Sequence, residues 1–361
     1  SPTVARRAAT GGETAILKGT GHLNALAGIS IINVIIALLT SVPIYYLFGE
    51  AGIIPSLIII SLCQMLLTIH TSYRLFPLSI SMRKDSLRQG FYMVKLGSAF
   101  VIAGIFGSGA DFVIRSFLNT TSSLDTVGLY NAGYMMTMVY AGMVFTAMET
   151  DYFPRLSAVN QDVKKRNIII NRQIEVSLLL LSPMLVAFMV SLPLLLPLLY
   201  SNKFIPVTDM IRITIIAMYF RTIKLPIAYL TLARGNSKAY LFLEATYDVI
   251  IIILTVVGFT AFGLVGAGYA ITLTCIIDVC IILLFTYYKY RYVISIPVIK
   301  YFLIQFPIGI AAMLTMFIDN TAAYWIIGII LICTSTFISL KILQGKTSLW
   351  NKLMSKFKSY N

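Results

Sequence analysis

Apolar runs of about 20 residues recur along the chain, and each is long enough for a helix that crosses a lipid bilayer. Ten such runs can be drawn, at residues 25–48, 52–70, 96–118, 128–150, 174–200, 209–232, 241–261, 264–287, 298–317 and 324–340. Of the 361 residues, 58% are hydrophobic and 12% are charged, whereas a soluble domain keeps about a quarter of its residues charged. We therefore predict an all-α integral membrane protein with about ten transmembrane helices.

The basic residues alternate between successive segments outside these runs. Counted from the N-terminus, the odd-numbered segments hold most of the 28 Lys and Arg residues, and the even-numbered loops hold only Lys203. Positive charge resists translocation, so this pattern predicts that both ends of the chain are cytoplasmic. The net charge of +14 is therefore explained by membrane topology, because the basic residues are distributed over alternate loops. This distribution argues against nucleic acid as a partner.

A short motif occurs twice and indicates an internal repeat. The sequence FGEAG at residues 48–52 recurs as FGLVG at residues 262–266, each time at a tight turn between two apolar runs. Glycine permits turns this short. Because the copies are six helices apart, we predict two bundles of six helices. Four helices of the first bundle are then expected to be missing ahead of Ser1, which is not an initiator Met.

These patterns predict four regions along the chain. Residues 1–72 hold the last two helices of the N-terminal bundle, and residues 73–95 form an amphipathic cytoplasmic linker. Residues 96–287 form a six-helix C-terminal bundle, and residues 288–361 add two helices and a basic cytoplasmic tail. The linker and the tail mix basic and apolar side chains, which is typical of segments that bind anionic membrane lipids.

Six short motifs follow one another between residues 111 and 270. They are DFVIR at 111–115, VGLY at 127–130, PRLS at 154–157, LYSNKF at 199–204, ARGNSK at 233–238 and FGLVGAGYA at 262–270. In order and spacing they resemble the polysaccharide transporter branch of the multidrug/oligosaccharidyl-lipid/polysaccharide exporter superfamily. One departure is Ser201, which stands where that branch usually has Gly.

The resemblance implies that the ten runs are helices five to fourteen of a two-bundle flippase fold. It implies a flippase, not an enzyme, that moves undecaprenyl-diphosphate-linked oligosaccharide units across the cell inner membrane. Such units serve the assembly of O-antigen, and hence lipopolysaccharide, or of capsule. The implied partners are the lipid-linked oligosaccharide and membrane lipids. The main departure is that the first four helices, which line half of the central cavity, are absent.

Arg221 and Lys224 are the candidate substrate-binding residues. A charge deep in a bilayer costs about 2.5–3.5 kcal/mol on insertion scales, so it needs a partner or a water-filled cavity. The next run carries Glu244 and Asp248 on one face of a helix, four residues apart. Two interpretations stay open at this point. The four residues form a structural ion-pair cluster, or the basic pair faces a cavity and binds the diphosphate.

Three further residues are candidates for coupling or gating, together with Glu244 and Asp248. Asp111 and Arg115 are four residues apart, so they either neutralise each other or act at the outer mouth. Asp278 has no evident partner in the sequence, which makes it a candidate for proton or sodium coupling.

The sequence favours neither a metal site nor a cofactor. The four Cys residues lie inside apolar runs, where they are typical of packing residues, and His22 and His70 are far apart. Two alternative functions remain. A multidrug–cation antiporter of the same superfamily would favour acids in the cavity, and an integral membrane enzyme of a glycan pathway would need a large loop with clustered acids or His.

Overall fold

The computed structural model describes residues 10–17, 20, 22–76 and 84–346, and this part of the chain is helical almost throughout, with no β-strand. Two predicted segments extend beyond this part of the chain. Residues 77–83 of the predicted linker (73–95) and residues 347–358 of the predicted tail (346–358) lie outside the described residues. The helices are α1 (residues 10–17), α2 (Leu23–Phe48), α3 (Ile53–Leu75), α4 (Lys84–Thr121), α5 (Leu124–Tyr134), α6 (Ala141–Ala158), α7 (Val163–Leu199), α8 (Thr208–Ala233), α9 (Ser237–Tyr290), α10 (Ile296–Leu314) and α11 (Thr321–Lys346).

All ten predicted runs are helical. Seven helical segments among the described residues are long and apolar enough to cross a membrane, and two of them, Asn24–Leu75 and Ser237–Tyr290, contain two predicted runs each. The run at 128–150 is not among the seven and is shared by α5, a π-helical segment at Met135–Tyr140, and α6. The predicted all-α architecture of about ten membrane helices is confirmed.

The two copies of the glycine motif have the same backbone conformation. Gly49 has φ 55 and ψ −133, and Gly263 has φ 60 and ψ −139, a region that side chains with a Cβ rarely adopt. Three residues further on, the chain approaches the preceding helix closely. A Cβ on Gly266 would overlap the carbonyl oxygen of Gly258. The repeat seen in the sequence is therefore present in the backbone of both turns.

We expect Gly263→Ala to lower the free energy of unfolding by about 1–3 kcal/mol, because the added Cβ strains a backbone conformation that the turn requires. Thermal unfolding of the purified protein in detergent measures the loss. Gly128→Ala is the matched control, since Gly128 is in helical α5 with open space around it. Equal stability of the two variants would contradict this assignment.

The chain divides into two compact units. The first comprises Ser1–Gly90 with Thr150–Pro154, and the second comprises Phe91–Glu149 with Arg155–Asn361. In the first unit, α2 and α3 form a helical hairpin around a turn of 3₁₀ helix, and the hydroxyl of Ser56 donates to Tyr45 Oη over 3.0 Å. The region boundaries predicted from the sequence stay a prediction.

In the second unit, α8 packs along α9, and α7 contacts α8, α10 and α11. The last two helices are joined by buried polar side chains. Gln305 Nε2 donates to Ser339 Oγ over 2.9 Å, and Ser335 Oγ donates to Gln305 Oε1 over 2.7 Å. Buried polar groups need such partners, so these bonds fix the register of α10 against α11.

Arginine side chains join three turns at one end of the second unit, the end predicted to be cytoplasmic. Arg166, near the start of α7, donates to the carbonyl oxygens of Asn160 and Tyr290. Arg234, which follows α8, donates to the same Asn160 oxygen, and Asn236 Nδ2 donates to Tyr290 Oη. Carbonyls at helix ends lack partners within the helix, so these bonds both cap the helices and hold their ends together.

Candidate functional site

The candidate residues meet because α9 reverses direction at Gly263. Its first span carries Glu244 and Asp248, and its second span carries Asp278. α8 packs along α9 and carries Arg221 and Lys224 three residues apart, close to one face of the helix. Residues that are far apart in sequence are thereby placed at one level of the second unit.

Lys224 lies between two carboxylates. Its Nζ is 3.4 Å from Glu244 Oε1 on the first span of α9 and 3.2 Å from Asp278 Oδ2 on the second span. It also lies 5.3 Å from the ring centroid of Tyr247. Lys224 is 9% exposed and Asp278 is 5% exposed. One ammonium group therefore links α8 to both spans of α9.

This arrangement gives Asp278 a partner that the sequence did not reveal. Asp278 has no evident partner in the sequence, yet in the fold it pairs with Lys224. The two residues are 54 positions apart, and only the reversal at Gly263 turns the second span of α9 back toward α8. No periodicity within one helix reports a contact of this kind.

Arg221 has a different environment, although it lies only one turn from Lys224. It is half-buried, and its Nη1 is 2.7 Å from Met138 Sδ in the π-helical segment. Among the residues that the structure describes, no carboxylate lies within ion-pair distance of its guanidinium. A thioether is a weak acceptor with no formal charge, whereas a guanidinium carries five N–H donors. The charge of Arg221 is therefore not neutralised by a described side chain in contact with it.

Asp248 lies one turn beyond Glu244 and is half-buried. It forms no ion pair with a described residue, so it does not join the Lys224 cluster. The backbone of α4 comes close to it at Gly107, where an added Cβ would lie 3.9 Å from Asp248 Oδ1. One turn further along α4, Asp111 and Arg115 pair at 3.5 Å, with side chains 40% and 45% exposed.

Two neighbours of the basic residues were not identified from the sequence. Tyr247 follows Glu244 by three residues, so helical spacing could have placed it near Lys224. Met138 gave no signal, because its contact with Arg221 joins separate helices and depends on the π-helical segment. The described residues contain no group of three or more His, Cys, Asp or Glu suited to hold a metal ion.

Comparison with known proteins identifies the family of the chain and the fold that it shares. A family model described as "Polysaccharide biosynthesis protein" matches residues 8–209, more than half of the chain. No curated protein matches the sequence. A crystal structure of MATE in complex with MaL6 aligns over 78% of this chain and 66% of that chain, with 15% identity and a TM-score of 0.69.

Two further solved structures align with the chain. MATE in the bent conformation covers 78% of this chain and 65% of that chain at 14% identity, with a TM-score of 0.67. Lipid II flippase MurJ, in an inward closed conformation, covers 85% and 66% at 17% identity, with a TM-score of 0.46. The chain spans just under two thirds of the length of the two MATE structures. At this level of identity, the likeness to MATE establishes the fold.

Proposed function

The chain belongs to the polysaccharide biosynthesis protein family, and from this premise we propose that the whole protein is a flippase for a lipid-linked oligosaccharide. It is a multi-pass, all-helical membrane protein with the MATE fold. More specifically, we propose that the lipid of this substrate is undecaprenyl diphosphate. The lipid-linked oligosaccharide is moved across the inner membrane for the assembly of O-antigen or capsule. Both ends of the described chain are proposed to be cytoplasmic, on the basis of the loop charges.

One observation carries the proposal: the half-buried guanidinium of Arg221 contacts a thioether and no carboxylate among the described residues. A buried charge needs compensation. A diphosphate supplies it, because guanidinium binds two phosphate oxygens through parallel hydrogen bonds. We assign Arg221 to the diphosphate. Lys224, which already contacts two carboxylates, is assigned to hold α8 and α9 in place around Arg221.

The candidate acidic residues also differ in whether they form an ion pair. Glu244 and Asp278 share Lys224, and Asp111 pairs with Arg115, which leaves Asp248 without an ion pair among the described residues. A half-buried carboxylate of this kind is a candidate to take up a proton or a sodium ion during transport. Asp248 is therefore the proposed coupling residue, and the exposed Asp111–Arg115 pair is proposed for gating.

A multidrug–cation antiporter is the second candidate, favoured by the likeness to MATE. A cationic substrate would be repelled by Arg221 and would have to compete with Lys224 for Glu244 and Asp278. These charges favour an anionic substrate. The family match to polysaccharide biosynthesis supports the same choice.

Transport by the full-length protein in proteoliposomes tests the proposal. An undecaprenyl-diphosphate oligosaccharide is placed in both leaflets, and the fraction open to an external glycosidase is followed over time. We expect the protected fraction to become accessible in a protein-dependent manner, because flipping exposes the inner pool. The same vesicles with an imposed proton or sodium gradient test coupling. Movement of cationic dyes without movement of the oligosaccharide would contradict the flippase and support the antiporter.

A further inference from the structure

A cavity of about 430 Å³ lies where α7 ends and α8 begins, within the second unit. The loop charges predict that this end is extracytoplasmic. Three of the residues that line it are Pro193, Pro197 and Pro206. The volume is within the range of about 300–1,000 Å³ that small-molecule sites occupy. Arg221 and Lys224 are more than two helical turns further along α8, so the cavity is separate from the site described above.

Arg212 is the polar anchor of this cavity. Its side chain is more than nine-tenths buried, and its Nη2 donates to Tyr324 Oη over 3.3 Å. Tyr324 Oη in turn donates to the carbonyl oxygen of Val190 over 2.7 Å. The Nε donor of Arg212 has no partner among the described residues. Docking of α11 therefore uses only part of the hydrogen-bonding capacity of this guanidinium.

Asp209 adds an acceptor on the same wall. One carboxylate oxygen is 3.8 Å from Arg212 Nη1, beyond hydrogen-bond distance, and the side chain is 49% exposed. Pro197 has no N–H, so the carbonyl of Pro193 lacks its usual helical donor. The cavity thus combines donors, acceptors and apolar ring surfaces.

We infer that this cavity binds one sugar ring of the transported glycan, an inference that rests on the proposed function and specifies its substrate. Sugar hydroxyls both donate and accept, so one hydroxyl pair can bridge Arg212 and Asp209. The C–H faces of the ring pack on the prolines, in keeping with sites that are mostly apolar with a few polar groups. A phosphate fits less well, because the Asp209 carboxylate repels it and already offsets the charge of Arg212.

Saturation-transfer NMR on the full-length protein in phosphatidylcholine nanodiscs tests the inference. The probes are free glucose, galactose, rhamnose, N-acetylglucosamine and N-acetylgalactosamine. We expect transfer to the ring protons of at least one sugar, and we expect Asp209→Asn to raise its Kd at least tenfold. Asp125→Asn is the matched control, an exposed acid in the first turn of α5, and should leave Kd unchanged.

Two results would overturn the inference: no transfer to any of the five sugars, or an unchanged Kd for Asp209→Asn. Arg212→Gln is a second variant for the same binding measurement. If its folding fails, Asp209→Asn still tests the inference, because the Asp209 side chain is half-exposed. Sugar binding is measured without transport. A protein that flips the oligosaccharide but binds no free sugar would contradict this inference alone. A protein that binds sugar but does not flip the oligosaccharide would contradict the proposed function.

Discussion

We expect replacement of Lys224 by methionine to lower the free energy of unfolding by about 3–5 kcal/mol, because two carboxylates lose the cation that they share. The yield of folded protein should fall with it. Glu244 and Asp278 lie 3.4 and 3.2 Å from Lys224 Nζ, and Asp278 is nearly inaccessible. Without the ammonium group, both acids must take up protons or repel each other. Thermal unfolding and detergent-extracted yield of the full-length protein measure the effect.

Neutralising the acids provides the complementary measurement. Lys224→Met combined with Glu244→Gln and Asp278→Asn should recover most of the lost stability, because no unpaired charge stays buried. Lys300→Met is the matched control, since Lys300 is exposed on α10 and no described residue forms an ion pair with it. A Lys224→Met protein as stable as the control would show that the two contacts contribute no net stability.

Replacing Arg221 by alanine should abolish flipping and leave folding intact, which is the opposite outcome from the residue one turn away. No described carboxylate pairs with Arg221, so its removal leaves no buried acid uncompensated. A hydrogen bond to a charged group contributes about 1.5–3 kcal/mol, so losing one bidentate contact corresponds to at least a tenfold loss of rate. Arg221→Lys should keep part of the activity, because the charge remains while the bidentate geometry is lost.

Expression level and flipping are measured side by side in the full-length protein. A well-expressed Arg221→Ala variant that flips at the native rate would contradict the assignment to the diphosphate. A fall in yield to the level of Lys224→Met would instead make Arg221 part of the structural cluster. The two variants together therefore separate substrate binding from helix packing within a single turn of α8.

Much of the architecture was predictable because it depends on local chemistry. A run of about 20 apolar residues in a membrane must be helical, since helix formation satisfies every backbone polar group within the segment. The position of the Gly263 turn was predictable for a similar reason, because only glycine adopts its backbone conformation without strain. The spacing of Asp111 and Arg115 allowed them to pair across one turn of α4, which was one of the two interpretations left open, and the structure shows this contact.

The roles within the candidate site depended on tertiary contacts. The sequence places Arg221 and Lys224 near the same face of α8 and does not distinguish them. Packing of α8 against both spans of α9 brings Asp278 to Lys224, while the π-helical segment brings Met138 to Arg221. Among the described residues, Lys224 is paired with carboxylates, whereas the N–H donors of Arg221 are not. This difference depends on residues that are dozens of positions apart in the sequence. The sequence alone therefore determined the helices, their turns and the charged residues, and only their packing decided which charges are paired.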